Sequence, residues 1–367
     1  MTTRTCLTLL ASAALLTGCP TPEAPIVPVD PDPPPTTGET LALTACAAGE
    51  GELVAGWSVD NGHGAVSSLA VSPGGTAALA GADGTVKLWH IESGELNWST
   101  SSSSGAGYGS EFGQAGPMAS LSFDTSGDLI AAGDENGSAH IFSAADGFNL
   151  GSWPIGSAAV ATVAQGYDGQ IAAAATTAFG GDLHIWSISG APDGPLETEL
   201  WFIYDLSIDA GREEVIVAGD IYGIPTVEVR SAAFTGAVLG LVEVHELNGT
   251  FVSAASLGDG RVLAAGGGGL ALLNPNPWLE GSPWAESQIL AVNEIPDVSF
   301  VSVVALDENH FAAATEEGNI LLGTIDDLTV RASIESSEIS ALALVPGGWQ
   351  LASAGEDGVL RLHGCEG

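Results

Sequence analysis

An all-β fold of repeated four-stranded sheets is what the sequence predicts, and three observations predict it. Self-similar segments recur through residues 41–367 at spacings of 40 to 53 residues. Each holds short runs of alternating or small apolar residues, of strand rather than helix length, broken by Gly-, Pro- and Asp-containing turns. Glycine makes up 50 of 367 residues, which suits a chain with many tight turns. A content of 45% hydrophobic residues excludes disorder throughout.

The chain opens on an export signal. Arg4 gives a positive start, and Cys6 to Leu16 is an apolar or small-residue run of 11. That is shorter than the ~20 residues needed to span a bilayer and has the size of a secretory core region. Leu16-Thr17-Gly18-Cys19 then resembles the lipobox of bacterial lipoproteins. The resemblance implies cleavage before Cys19, a diacylglycerol thioether on its thiol and an acyl group such as palmitate on its new amine. A chance Leu-Thr-Gly-Cys behind an ordinary signal peptide is the alternative. Residues 1–18 are thus expected to be a signal peptide, and removing Arg4 takes the formal charge from −38 to −39. Buried acyl chains, at about 0.8 kcal/mol per CH₂, would hold the protein to a membrane without a spanning helix. Residue 20 is proline rather than the aspartate that retains some lipoproteins in the inner membrane, so the expected address is the bacterial envelope at the outer membrane, facing periplasm or surface.

Residues 19–40 form the acylated cysteine and a linker. Pro20 to Thr37 contains 8 prolines, each without a backbone donor, and favours extended polyproline II. At about 3.1 Å per residue the stretch from 20 to 41 would reach roughly 70 Å if fully extended. It reads as a stalk, and a plain disordered linker predicts nearly the same.

The clearest repeat begins at Gly62-His63. It shows an alternating strand (Val66 to Val71), a Ser-Pro-Gly-Gly turn, a small-residue strand (Thr76 to Gly81), an Asp83-Gly84 turn, a strand ending at Trp89, and a fourth strand around Leu96 and Trp98. This unit resembles a WD repeat, with His90 where that family usually has aspartate. The same frame returns with Phe142, Trp186, Arg230, Leu273, Gly323 and His363 at the position of Trp89. The resemblance implies a seven-bladed β-propeller of four-stranded antiparallel blades over 41–367. A lone sheet cannot bury both faces, but sheets packed radially cover each other. The last unit stops at 363–367 without an outer strand, whereas 51–59 (GELVAGWSV) looks like the outer strand at 94–100. The N-terminal strand is therefore expected to close the last blade. Within the family pattern His63, Asp83, Trp89 and Asp357 are structural residues of the repeat.

After Cys6 and Cys19, two cysteines remain, Cys46 and Cys365, near the two ends of the folded part. An oxidising compartment permits a disulfide between them, and two free thiols are the alternative. Such a bond would bolt the seam that the N-terminal strand closes.

In WD-type propellers the outer-to-inner loops and the second-to-third-strand turns share a face that usually binds partners. Mapped here, it carries Asp83, Asp134, Glu135, Asp220, Glu316, Glu317, Glu356 and Asp357. It also receives the longest insertion, 99–117, with Tyr108, Glu111 and Phe112, and Trp201, Tyr222 and His245 nearby. Aromatics in an acidic field suit a basic or cation-bridged protein partner. A bland acidic coat, for solubility or for high salt, is the alternative.

Charge and motifs bound the chemistry. With 7 Lys+Arg against 45 Asp+Glu, the chain repels nucleic acid and anionic lipid surfaces. No CxxC, HExxH, GxSxG, P-loop or EF-hand loop occurs. His140 and His184 sit at equivalent positions in adjacent repeats, where blades diverge, so a shared metal is not expected. Neither catalysis nor a cofactor is expected. The leading expectation is a monomeric, lipid-anchored, non-catalytic interaction scaffold for an envelope protein. The alternatives are an outer-membrane assembly accessory of the pyrroloquinoline-quinone-repeat type, and a ligand-binding or enzymatic propeller using its central channel.

Overall fold

The computed structural model describes residues 40–60, 62, 64–101, 117–156, 160–165, 170–177, 180–187, 195–232, 236–275 and 288–367. Cys19 with the signal and linker up to residue 39, His63, and Tyr108, Glu111 and Phe112 of the insertion lie outside the described residues.

The chain enters through a short strand β1 (Thr40–Leu41), a helix α1 (Leu43–Ala48) and a long strand β2 (Glu52–Asp60). Four strands follow that match the clearest repeat: β3 (Val66–Val71), β4 (Thr76–Gly81), β5 (Thr85–His90) and β6 (Glu95–Ser101). The next units are β7 (Met118–Phe123), β8 (Leu129–Asp134), β9 (Ser138–Ser143) and β10 (Asn149–Pro154), then β11 (Val160–Gln165), β12 (Gln170–Thr177) and β13 (Gly180–Ser187). The strands β14 (Phe202–Asp209), β15 (Glu214–Ile221), β16 (Ile224–Ser231) and β17 (Val238–Glu243) form another. The rest are β18 (Phe251–Ser256), β19 (Val262–Asn274), β20 (Gln288–Ala305), β21 (His310–Thr315), β22 (Asn319–Thr324) and β23 (Thr329–Glu335), and finally β24 (Ala341–Leu344), β25 (Gln350–Ala354) and β26 (Val359–Glu366). Every strand pairing is antiparallel.

These strands make six hydrogen-bonded sheets among the described residues, five of them with four strands or more. The expectation of seven separate four-stranded sheets is corrected on two counts. The sheet β11–β13 has three strands, and a single bridge between Leu183 and Leu196 stands where an outer strand would run. The sequence there carries Pro192 and Pro195, which cannot donate to a ladder. The second departure is β20, whose 18 residues pair with β19 at one end and with β21 at the other, merging two repeats into one six-stranded sheet.

The packing follows from the composition of each strand. Second strands are small-residue runs buried along their length, as in β4 (TAALAG) and β21 (HFAAAT), because both faces are covered. Outer strands such as β23 alternate between exposed and half-buried. First strands pack in a closed circuit: β3 on β7, β7 on β11, then β14, β18, the later half of β20, β24, and β3 again. The buried apolar side chains form clusters shared by sheets adjacent in that circuit.

The circuit closes at β26. One of its edges pairs with β25 through Gly364, and β1 takes Cys365 and Glu366 beyond it. Its other edge carries β2, from Glu52 opposite Glu366 to Asp60 opposite Val359. The register shifts between Ala55 and Ser58. A Cβ on Gly56 at that bulge would lie 2.9 Å from the Leu362 carbonyl oxygen, so the close approach requires glycine. The helix α1 has no counterpart in the sequence expectations. Its Leu43, Cys46 and Ala47 are buried against β21, β22 and β26, and Gly49 (φ 85°) ends it by donating to Cys46 O. Cys46 and Cys365 form a disulfide across the seam, with Cα atoms 5.9 Å apart and both residues fully buried.

First strands are also hooked to one another. In β3, β7, β11, β14, β18 and the later half of β20 the register shifts near the start of the strand, and the residue after each shift is Ser68, Ser120, Thr162, Asp205, Ser253 or Ser302. Ser68 Oγ accepts the Leu121 N–H of the next unit (3.1 Å), Asp205 Oδ2 that of Ala254 (2.9 Å), and Ser253 Oγ that of Val303 (3.1 Å). Asp205 puts a carboxyl where the others have a hydroxyl. Burial pushes its pKa up to about 6, against the hydrogen bonds it accepts from Ala254, Ser253 and Leu206.

Two outcomes follow. The disulfide closes a loop of 319 residues, for which the chain-entropy model gives about 5–6 kcal/mol. The Cys46→Ala/Cys365→Ala double variant is expected to lose stability up to that amount in urea titrations, while reductant added to native wild type leaves the buried bond intact. For Asp205, a folded pKa raised above the unfolded value contributes stability that is complete below about pH 3.8 and is lost as pH rises through about 6. Relative to Asp205→Ser, wild type should lose up to about 3 kcal/mol between pH 4 and 7. Equal pH profiles for the two proteins would contradict this.

Candidate functional site

The turns joining second to third strands were expected to present carboxylates, and several do. Glu135, Glu316, Glu317 and Glu356 are exposed. Asp134 and Asp220 are not: they are 4% and 2% exposed, which corrects their placement on an open face. The reason is local. Asp134 Oδ1 accepts the N–H groups of Asn136 and Ser138, and its Oδ2 meets His140 Nε2 at 3.1 Å. Asp220 Oδ1 accepts the Gly223 N–H across its own turn (2.9 Å).

Asp83 and Asp357 hold their turns in the same way. Asp83 Oδ1 accepts the Thr85 N–H and hydroxyl, and its other oxygen faces Lys87 at 4.0 Å. Asp357 accepts from the Val359 N–H, the Ser337 hydroxyl and the Arg361 guanidinium. Burial raises the Asp357 pKa, but these donors and the charge of Arg361 outweigh it and hold the carboxyl below its ordinary value.

The third-strand histidines are tied up as well. His140 Nδ1 lies 2.8 Å from Ser152 Oγ while its Nε2 faces Asp134, and Asn149 Nδ2 donates to the same Ser152 Oγ. This Ser–His–Asp line braces one sheet from within: His140 and Asp134 are buried, and Asp134 is already committed to two backbone donors. His363 bonds Ser353, and burial, aided by the charge of Arg361, lowers its pKa to about 4, so it stays neutral. Among the described residues no group of three or more His, Cys, Asp or Glu side chains has metal-binding geometry.

Trp89 is 4% exposed and packs between the first unit and β25–β26, opposite Ala77. Arg230 takes the equivalent place in the fourth unit and is equally buried. It pairs with the fully buried Glu228 and donates to Gly236 O (2.9 Å) and to Glu197 O, while Thr198 Oγ1 donates to Glu228 Oε2 (2.8 Å). The ion pair thus fastens the segment after the three-stranded sheet to the fourth unit. A cavity of about 620 Å³ opens beside it, lined by residues that include Asp182, Glu197, Glu199, Trp201 and Arg230.

The fourth unit also carries four exposed aromatics, while Phe148 and Trp349, each 50% exposed, lie on other units. The structure brings Trp201 and Tyr222 together, ring centroids 4.5 Å apart at 44°. His245 lies in the loop after β17, 67% exposed and 3.1 Å from Glu243, and that loop is tied to the same unit by the Val244 N–H to Pro225 O bond. Sequence reasoning missed Phe202 and Tyr204. Both are exposed on β14 with centroids 6.3 Å apart, and the signal was the aromatic-rich Trp-Phe-Ile-Tyr run at 201–204. Burial and the negative charge of Asp220 raise the Tyr204 pKa, against a hydrogen bond with Thr250.

A profile of the family described as "WD domain, G-beta repeat" matches residues 56–90, from β2 to the end of β5. Two solved structures are similar to the chain. The "Crystal structure of RRP9 WD40 repeats" aligns with a TM-score of 0.70 at 16% identity, over 90% of this chain and 100% of that one. The "Structure of U3-55K" aligns with a TM-score of 0.69 at 17% identity, over 85% and 98%. No curated protein matches the sequence. At these identities the likeness shows the fold, an all-β propeller of four-stranded antiparallel blades.

Proposed function

We propose that the protein is a non-catalytic interaction scaffold that holds a protein partner on the propeller face carrying the second-to-third-strand turns. The observation that carries this reading is the WD-type propeller itself, with buried polar side chains bracing its blades and four exposed aromatic side chains on the fourth unit. Fold alone does not dictate function. Here, however, His140, Asp134 and His363 are buried and bonded within their own sheets.

We read β20 as the outer strand of one repeat and the first strand of the next. The closed circuit of first strands and the cluster between each adjacent pair support that reading. The export-type start and Leu16-Thr17-Gly18-Cys19 support a lipid anchor at Cys19, with the proline-rich stretch as spacer. Pro20 supports the outer membrane, and the buried disulfide suits an oxidising envelope compartment. The partner is expected to be basic or cation-bridged. All six Lys and Arg among the described residues already lie within 4.0 Å of a carboxylate, so the remaining acids present unopposed charge.

The reading is tested in intact bacteria. Labelled palmitate should enter the wild-type protein and fractionate with membranes, whereas Cys19→Ser should remain unlabelled and leave the membrane. In-cell crosslinking with mass spectrometry should recover an envelope protein. No partner, together with an unaltered envelope on deletion, would refute the scaffold.

A further inference from the structure

The exposed end of the fourth unit is unusual in its backbone as well as its side chains. Ile221-Tyr222-Gly223-Ile224 is a two-residue hairpin between β15 and β16, with φ of 55° at Tyr222 and 80° at Gly223. Two successive positive φ values define the turn that favours Asn-Gly. A bulky aromatic at the first position is disfavoured, because its Cβ crowds the following carbonyl. Nothing in the fold recovers that strain by burial: Tyr222 is 74% exposed, and its ring contact is with Trp201, itself 43% exposed. Phe202 and Tyr204 on β14 are 42% and 41% exposed. Four of the large exposed side chains thus lie at the entry and start of β14 and in the β15–β16 turn. Strain held at an exposed aromatic marks a position kept for contact rather than for stability.

The charge around it selects the occupant. Glu199 stands two residues before Trp201, and the backbone of Asp220 receives the Trp201 N–H (2.9 Å). Glu243 lies in the outer strand of the same sheet, beside His245. The lone arginine of that sheet, Arg230, is 4% exposed and neutralised by Glu228. Aromatic faces inside a negative field attract guanidinium and ammonium groups.

We propose that Trp201, Phe202, Tyr204 and Tyr222 form a docking ledge for an arginine- or lysine-bearing polypeptide segment, whose cationic heads lie on the Tyr222 and Trp201 ring faces. This deepens, and rests on, the reading of the chain as a scaffold.

The test uses the full chain and a short fluorescent peptide of alternating arginine and serine, read by anisotropy at low salt. Wild type should bind it and should not bind the matched glutamate–serine peptide. Trp201→Ala should weaken binding roughly tenfold. Tyr222→Asn should weaken it similarly while raising Tm by about 2 °C, because asparagine suits the turn. A residue with a structural role alone would not combine a more stable protein with a weaker complex. Glu92→Gln, in the exposed turn between β5 and β6 of the first unit, should leave the affinity unchanged. The ledge is refuted if wild type does not bind the peptide, if the ledge variants bind as wild type does, or if the distant variant loses as much. Binding of a neutral chitin oligosaccharide that depends on Trp201, in place of the arginine peptide, would overturn the choice of occupant. If Trp201→Ala and Tyr222→Asn still crosslink the cellular partner, the ledge fails and the scaffold stands. If they lose the peptide but wild type recovers no partner in cells, the reverse holds.

Discussion

A sheet that is apolar on both faces has to be covered on both, and in this protein that constraint organises the rest. The buried alanines of β4, β8, β12 and β21 belong to second strands with no solvent side. Such a sheet is stable as a member of a circuit in which each neighbour supplies a wall. A circuit in turn has to be closed, and closure falls on one strand, β26, with β25 on one edge and β2 on the other. At about 25 cal/mol per Å², the apolar contacts across any one interface are worth little unless all the interfaces form together. The seam is the one interface that local chain connectivity does not provide. The buried disulfide and α1 lie at that point, where cross-linking opposes opening most effectively.

Polar groups inside such a circuit have to be satisfied by the sheets themselves. The protein does so at two radii. Near the axis, hydroxyls and one carboxyl at the register shifts reach the backbone N–H of the next unit. Farther out, Asp83, Asp134 and Asp357 accept the N–H groups of their own turns and turn their second oxygens toward Lys87, His140 and Arg361. A carboxylate in that setting orders a turn and neutralises a neighbour. This is why an acidic chain can place aspartates at these turns and still have them inaccessible or spoken for.

Much of this was legible in the sequence, because turn chemistry and strand period are local. The Ser-Pro-Gly-Gly and Asp-Gly turns delimit β3–β5 at the residues where the strands begin and end. The likeness of 51–59 to 94–100 marked β2 as an outer strand before any partner strand was known. What was not legible depends on contacts distant in sequence. The six residues of α1 lack a side-chain N-cap and are too short for a periodic signal, so tertiary burial alone makes them helical. Whether Asp134 faces solvent or His140 depends on a rotamer, and whether β20 is one strand or two depends on ladders on opposite edges. The strain at Tyr222 was readable in part: Tyr-Gly occupies the place of the favoured Asn-Gly.

The fourth unit shows how degeneracy of a repeat carries information. At the third-strand position where other units bury Trp89, Phe142 and Trp186, this one buries Arg230 on Glu228. Removing one member of a buried ion pair is costly, whereas replacing both by apolar residues is often neutral, so stability alone does not explain the exchange of an aromatic for two charges. The pair does something an indole could not: it grips Glu197 O and, through Glu228, Thr198, in the segment that leads into Trp201. With no outer strand among the described residues of the preceding sheet, that segment needs another anchor. The unit that gives up its core aromatic thereby fixes the approach to a group of aromatics at its surface. Departure from the repeat and display of Trp201, Phe202, Tyr204 and Tyr222 are two ends of one arrangement.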